Sequence, residues 1–72
     1  METGIRARLA KRIRELRKKK GLTQEELSEL AGIDYKHIQL LESKKASAPK
    51  VDTLEKLAKA FKIPLSKLLD FK

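Results

Sequence analysis

The chain has 72 residues, a formal net charge of +8 at pH 7 and no cysteine. A chain of this length forms one domain with a small core, and the lack of cysteine excludes disulfides and thiolate metal sites. No apolar run approaches the roughly 18 residues of a membrane span, and the N-terminus is charged, unlike a signal peptide. We therefore expect a single domain over residues 1–72, located in the cytoplasm.

The first predicted element is a strongly basic helix over residues 5–20, which ends at Gly21. The first twenty residues hold nine basic and two acidic side chains, +7, and the rest hold nine basic and eight acidic ones, +1. Either this helix contacts the phosphates of a nucleic acid, or its charges only solvate an exposed face. Its expected buried residues are Ile5, Leu9, Ile13 and Leu16.

Two short helices follow, joined by a turn that contains glycine. Thr23 and Glu26 have the spacing of a capping box, which begins helix 2, and Gly32 ends that helix because glycine reaches positive φ without steric cost. Asp34 is the expected N-cap of helix 3, which covers about residues 34–43. The expected buried residues of the two helices are Leu27, Leu30, Ala31, Ile38 and Leu41.

The remaining residues predict a loop and two more helices. The loop covers residues 44–50, Asp52 lies in the first turn of helix 4, and Pro64 begins a short fifth helix. The expected buried face of helix 4 consists of Val51, Leu54, Leu57, Ala58 and Phe61. Four apolar residues of the last segment belong either to the core or to the seam of a dimer: Leu65, Leu68, Leu69 and Phe71.

Helices 2 and 3 have the spacing of a helix-turn-helix. Their connection is a short turn with a glycine, and the small Ser28 lets helix 3 approach helix 2. With Ile38 and Leu41 turned towards the core, the outer face of helix 3 would fit a DNA major groove about 12 Å wide. That outer face is expected to carry Lys36, Leu40 and Ser43, flanked by Tyr35 and Gln39.

The sequence resembles the Xre family of helix-turn-helix domains, which includes the phage lambda-type repressors and Cro. The matching stretches are IRELRKKKGLTQEELSELAGI at 13–33, HIQLLE at 37–42 and PKVDTLEKLAKAFKIPLSKLL at 49–69. The motif positions that match the family are Gln24, Ser28, Gly32, Ile38 and Leu41. The resemblance implies an all-α fold, a compact five-helix bundle of the lambda-repressor-like type with the helix-turn-helix as helices 2 and 3.

The resemblance also implies roles for individual residues. Arg17 and Glu42 match an ion pair that links helix 1 to the end of helix 3, and Gly32 permits the turn. Gln24 would contact a phosphate and support the start of helix 3. The implied base-reading residues are Tyr35, Lys36, Gln39 and Leu40. The implied phosphate contacts are Gln24, Ser43, Lys44 and Lys45.

The chain departs from the family pattern around the end of helix 3. Ser43 and Lys44 follow Glu42 where the family often has glycine, and the interval to Pro49 is one residue longer. Leu40 stands where a polar base-reading residue is commoner. Leu40 would therefore contact either a thymine methyl group or a partner protein.

These features predict a sequence-specific regulator of transcription that binds double-stranded DNA, of the repressor type. It would act as a homodimer that places two copies of helix 3 in successive major grooves about 34 Å apart, on a pseudo-palindrome. The alternative is a protein-interaction module, antitoxin-like or accessory, that keeps the fold without specific readout. Leu40 and the acidic residues of helix 2 favour that alternative: Glu25, Glu26 and Glu29.

Other functions have little support in the sequence. An enzyme is not expected, because the single histidine, His37, has no evident acid or base partner and no phosphate-binding glycine loop is present. We also expect no cofactor, no metal and no small-molecule ligand. Membrane binding through helix 1 is disfavoured, because its apolar stripe is needed for the core.

Overall fold

This computed structural model describes residues 4–43 and 49–71, which contain five α-helices. They are α1 (Ile5–Lys19), α2 (Gln24–Ala31), α3 (Tyr35–Leu41), α4 (Val51–Phe61) and α5 (Leu65–Leu68). The all-α class and all five predicted helices are confirmed, although α3 is shorter than expected and has Glu42 as its C-cap. Within those residues no helix is long and apolar enough to cross a membrane.

The start of α2 is held by the predicted capping box. The Thr23 hydroxyl accepts a hydrogen bond from the Glu26 amide at 3.0 Å, and the Glu26 carboxylate accepts one from the Thr23 amide at 2.8 Å. Two amide groups that the helix itself leaves free are thereby paired. Because α2 has only 8 residues, the first turn that this cap stabilises is a large part of the helix.

Replacing Thr23 with alanine is expected to lower the free energy of unfolding by about 1 kcal/mol, because the Glu26 amide loses its acceptor. Urea denaturation followed by circular dichroism would measure the loss. Thr23→Ser is the matched control, since it keeps the hydroxyl and should stay close to the parent protein. Equal losses in the alanine and serine variants would contradict a role for the cap.

The turn between α2 and α3 depends on Gly32. This residue has φ +68° and ψ +35°, a left-handed conformation that L side chains rarely adopt, and its amide donates to the Ser28 carbonyl. Two residues later the Asp34 carboxylate accepts a hydrogen bond from the Lys36 amide at 3.2 Å and caps α3. The predicted roles of Gly32 and Asp34 are therefore confirmed, and together they set the direction in which α3 begins.

The core lies where α1, α2, α3 and α4 meet, with α5 closing one end. Its fully buried large side chains are Phe61, Ile13, Leu27, Ile38, Leu57 and Leu68. The cluster continues through Leu9, Leu16, Ala31, Ile33, Leu41 and Ala58. Most of the predicted buried stripes are thus confirmed, and the core is aliphatic apart from Phe61.

The prediction of burial is wrong for three residues. Ile5 and Val51 are 73% and 67% exposed, because each is the first residue of its helix and lies beyond the packed region. Leu30 is 61% exposed, because α2 buries the narrow stripe formed by Leu27 and Ala31 and Leu30 falls beside that stripe. Helical periodicity identifies the correct buried side of each helix. The predicted buried stripe is, however, longer than the observed one in α1 and α4 and wider in α2.

The apolar residues at the end of the chain do not all have the same environment. Leu68 is fully buried, and Leu65 and Phe71 are half-buried against the core. Leu69, the C-cap of α5, is 43% exposed. The core interpretation is therefore confirmed for Leu68, whereas a dimer seam stays a prediction.

Candidate nucleic-acid interface

The outer face of α3 carries all four residues that were predicted to read bases. Ile38 and Leu41 turn inward and are 0% and 4% exposed, which fixes the rotation of the helix about its axis. Lys36 and Leu40 then form one outward row, and Tyr35 and Gln39 form the row beside it, because residues four apart share a helix face. These four outward-facing residues are exposed. Because they lie on one face of α3, a single extended ligand could contact all four at once.

The carboxylate of Glu42 joins three helices behind that face. Arg17 of α1 donates to it twice, from Nε at 2.7 Å and from Nη2 at 3.0 Å, and Gln24 of α2 donates from Nε2 at 3.1 Å. Glu42 is the one buried charged residue among those described, with its side chain 2% exposed. The predicted ion pair is thus confirmed, in the bidentate geometry that fixes direction as well as distance.

Arg17 and Gln24 also connect this network to the start of α2. The Arg17 Nη1 group donates to the carbonyl oxygen of Leu22 at 2.8 Å, in the turn between α1 and α2. Gln24 was expected to support the start of helix 3, but its amide instead reaches Glu42, at the end of α3. A phosphate contact by Gln24 stays a prediction.

The predicted phosphate contacts after α3 are only partly described. Ser43 is half-buried, and its hydroxyl donates to the Leu40 carbonyl oxygen at 3.0 Å. Lys44 and Lys45 lie outside the described residues. Ser43 therefore helps to finish α3, and its contact with DNA stays a prediction.

One further residue of this network, Arg14, is not among the predicted site residues. Its Nη1 group donates to the backbone carbonyl oxygen of Glu42 at 2.8 Å. On the other flank of α1, Arg12 donates to the carbonyl oxygen of Lys67 at 2.7 Å and so holds α5. Apart from Arg17, the basic residues of α1 are expected to contact phosphates or to solvate an exposed face, yet Arg12 and Arg14 also bond inside the fold. The spacing of Arg14 and Arg17, one turn apart, was the one available signal.

Little in the described residues suggests chemistry other than recognition. Across residues 4–43 and 49–71, no three His, Cys, Asp or Glu side chains are grouped so that they could hold a metal ion. A surface groove does lie between α1 and the end of the chain, but it has no lining residue from α2 or α3. The exposed face of α3 and the network that holds it are therefore the best candidate for a binding site.

Comparison with known proteins gives matches over most of the chain. A family model described as Helix-turn-helix matches residues 13–68. The HTH-type transcriptional regulator PuuR of Escherichia coli strain K12 is 39% identical over 56 residues, which is 78% of this chain and 30% of PuuR. The chain therefore spans less than a third of the length of this relative.

Solved structures match over nearly the full length of both chains. The restriction-modification controller protein C.AhdI of Aeromonas hydrophila has a TM-score of 0.80 at 34% identity, over 86% of this chain and 92% of that one. The biofilm regulator SinR of Bacillus subtilis, in a structure in complex with DNA, has a TM-score of 0.80 at 31% identity, over 86% and 98%. The family-model match, over residues 13–68, covers α2, α3 and the Arg17–Glu42 pair.

Proposed function

Because the chain belongs to the helix-turn-helix family, we propose that it is a transcriptional regulator that binds specific sequences of double-stranded DNA. The observation that carries the proposal is the outer face of α3, where polar and apolar side chains stand exposed on a helix that is fixed at both ends. A helix held in this way fits into a major groove about 12 Å wide. The similarity to SinR, whose structure contains DNA, supports the same interpretation.

Base readout would come from the two outward rows of α3. The Lys36 ammonium group has the length and charge to donate to O6 or N7 of a guanine. The Gln39 amide both donates and accepts, as pairing with an adenine edge requires, and Leu40 offers an apolar contact for a thymine methyl group. Tyr35, at the first position of α3, would flank these contacts.

Phosphate contacts would position the domain without specifying the sequence. We place them at Gln24, in the first turn of α2, and after α3 at Ser43, Lys44 and Lys45. The net charge of +8 favours such contacts, because each bound phosphate releases condensed counterions.

We further propose that the protein binds DNA as a homodimer. One α3 has only 7 residues, so a single copy reads few base pairs. Two copies related by a twofold axis would place their α3 helices in successive major grooves about 34 Å apart, on a pseudo-palindrome. The exposed Leu69 at the end of α5 is an apolar residue available to such a contact.

Replacing Lys36 or Gln39 with alanine is expected to cost about 1–3 kcal/mol of binding free energy at particular base pairs. Fluorescence anisotropy with duplexes that differ by one base pair would measure the change. Lys67→Ala is the matched control, because it removes an exposed positive charge from α5 and leaves α3 intact. If both α3 variants kept the base preferences of the parent, the assignment of these residues would be wrong.

The competing function is a protein-interaction module that does not read DNA. The 57% exposure of Leu40 favours it, since an exposed leucine suits a protein partner as well as a thymine methyl group. Binding to random duplex DNA at low salt separates the two functions. The logarithm of the regulator's binding constant should fall linearly with log salt concentration, whereas no association below about 10⁻⁴ M would favour the interaction module.

A further inference from the structure

The C-terminal end of α3 is bonded by a cation from another helix. The last carbonyl groups of any helix have no partner inside the helix and carry partial negative charge, so basic residues are favourable there. The last turn of α3 contains no basic residue. Among the described residues, Arg14 supplies a cation from α1, through the bond from its Nη1 group to the Glu42 carbonyl oxygen.

Arg14 and Arg17 together bind the backbone and the side chain of Glu42. Arg14 binds the backbone carbonyl of Glu42, and Arg17 binds its carboxylate. The carboxylate contact alone would let the end of α3 shift by rotation of the Glu42 side chain. The second contact removes this freedom, because it acts on the backbone.

We propose that Arg14 is a positioning residue for DNA readout, which it serves by fixing the C-terminal end of α3 without touching DNA. The inference rests on the proposed function. Glu42 follows the outward residues Gln39 and Leu40 by two to three positions, so a shift of the C-cap displaces them as well. Because base-reading hydrogen bonds need heavy-atom distances near 2.7–3.2 Å, a displacement of about 1 Å is enough to break them.

Arg12 provides a matched control for Arg14. Both are half-buried arginines of α1, and both donate to backbone carbonyl oxygens. Arg12 donates to Lys67 at 2.7 Å and, more weakly, to Leu68 at 3.4 Å, and Arg14 donates to Glu42 at 2.8 Å. Replacing either arginine with glutamine removes one positive charge and the guanidinium group that binds backbone carbonyl oxygen. Of these two arginines, only Arg14 contacts the C-cap of α3.

The test compares Arg14→Gln with Arg12→Gln at a temperature at which both variants are fully folded. Arg14→Gln should bind the preferred duplex about tenfold more weakly than Arg12→Gln, the loss expected for a hydrogen bond to a charged group. The two variants should bind random duplexes equally and with the same salt dependence. A merely structural role predicts equal losses on both duplexes. Equal affinity of the two variants for the preferred duplex would overturn the proposal.

Salt dependence separates positioning from direct contact. If Arg14 touched a phosphate, Arg14→Gln would also weaken binding to random duplexes, and its slope against log salt would fall by about 0.9 more than that of Arg12→Gln. That result would overturn the positioning role.

Amide hydrogen exchange in the free protein supplies a readout that needs no DNA. The amides of Glu42 and Ser43 donate to the carbonyl oxygens of Ile38 and Leu40, both at 3.1 Å. They should exchange faster in Arg14→Gln than in Arg12→Gln, because the end of α3 opens more easily. Equal exchange would overturn the proposal. If the parent bound no duplex, the proposed function and the readout role would fail together, while faster exchange would still show that Arg14 holds α3.

Discussion

Replacing Arg17 with methionine is expected to lower the free energy of unfolding by about 3–5 kcal/mol, because a buried carboxylate is left without its cation. The side chains of Arg17 and Glu42 are only 12% and 2% exposed, so water cannot replace the lost contact. Gln24 would remain as a donor to Glu42, but it carries no charge. Small domains have a total stability of about 5–15 kcal/mol, so this variant should be close to unfolding, as urea denaturation would show.

Two further variants test the cause of that loss. Lys18→Met removes a neighbouring exposed charge and should change stability by less than about 0.5 kcal/mol. The double variant Arg17→Met with Glu42→Met should recover most of the loss, because a buried ion pair and a well-packed apolar pair are often similar in stability. If the double variant were as unstable as the single one, the unpaired carboxylate would not be the reason.

Replacing Phe61 with alanine is expected to cost about 3–5 kcal/mol of unfolding free energy, through lost burial and the cavity that remains. Phe61 is the last residue of α4 and is fully buried in the core cluster. Thermal and urea unfolding would measure the effect, and the variant should be mostly unfolded at moderate temperature.

Val51 provides the control for Phe61 on the same helix. It is 67% exposed, so Val51→Ala should stay within about 0.5 kcal/mol of the parent protein. Phe61→Leu keeps an apolar side chain in the site and should cost about 1.5 kcal/mol, which keeps the test informative if the alanine variant does not fold. A loss in Val51→Ala as large as that in Phe61→Ala would contradict the assigned core.

The helices were predictable because their signals are local. Each of these signals acts within one or two helical turns. They are the capping box at Thr23 and Glu26, the glycine at position 32 and the spacing of the buried residues. The errors at Ile5 and Val51 have a different origin. Periodicity shows which side of a helix faces inward, but the extent of burial depends on where the neighbouring helices end.

The candidate site was predictable to a similar extent. The outward face of α3 followed from Ile38 and Leu41, which fix the rotation of the helix. The pairing of Arg17 with Glu42 came from family resemblance. The contacts of Arg12 and Arg14 were not predicted, because the spacing of Arg14 from Arg17 places both on one face of α1 but does not identify a distant backbone carbonyl as the acceptor.

Selection of bound duplexes from a random pool tests the proposed function most directly. We expect enrichment of a pseudo-palindrome whose half-sites are about 10 base pairs apart, because two α3 helices would occupy successive major grooves. A double variant with Lys36→Ala and Gln39→Ala should lose that sequence preference at defined positions. It should still bind random duplexes. A pool in which the parent protein enriches no sequence would contradict specific readout by α3.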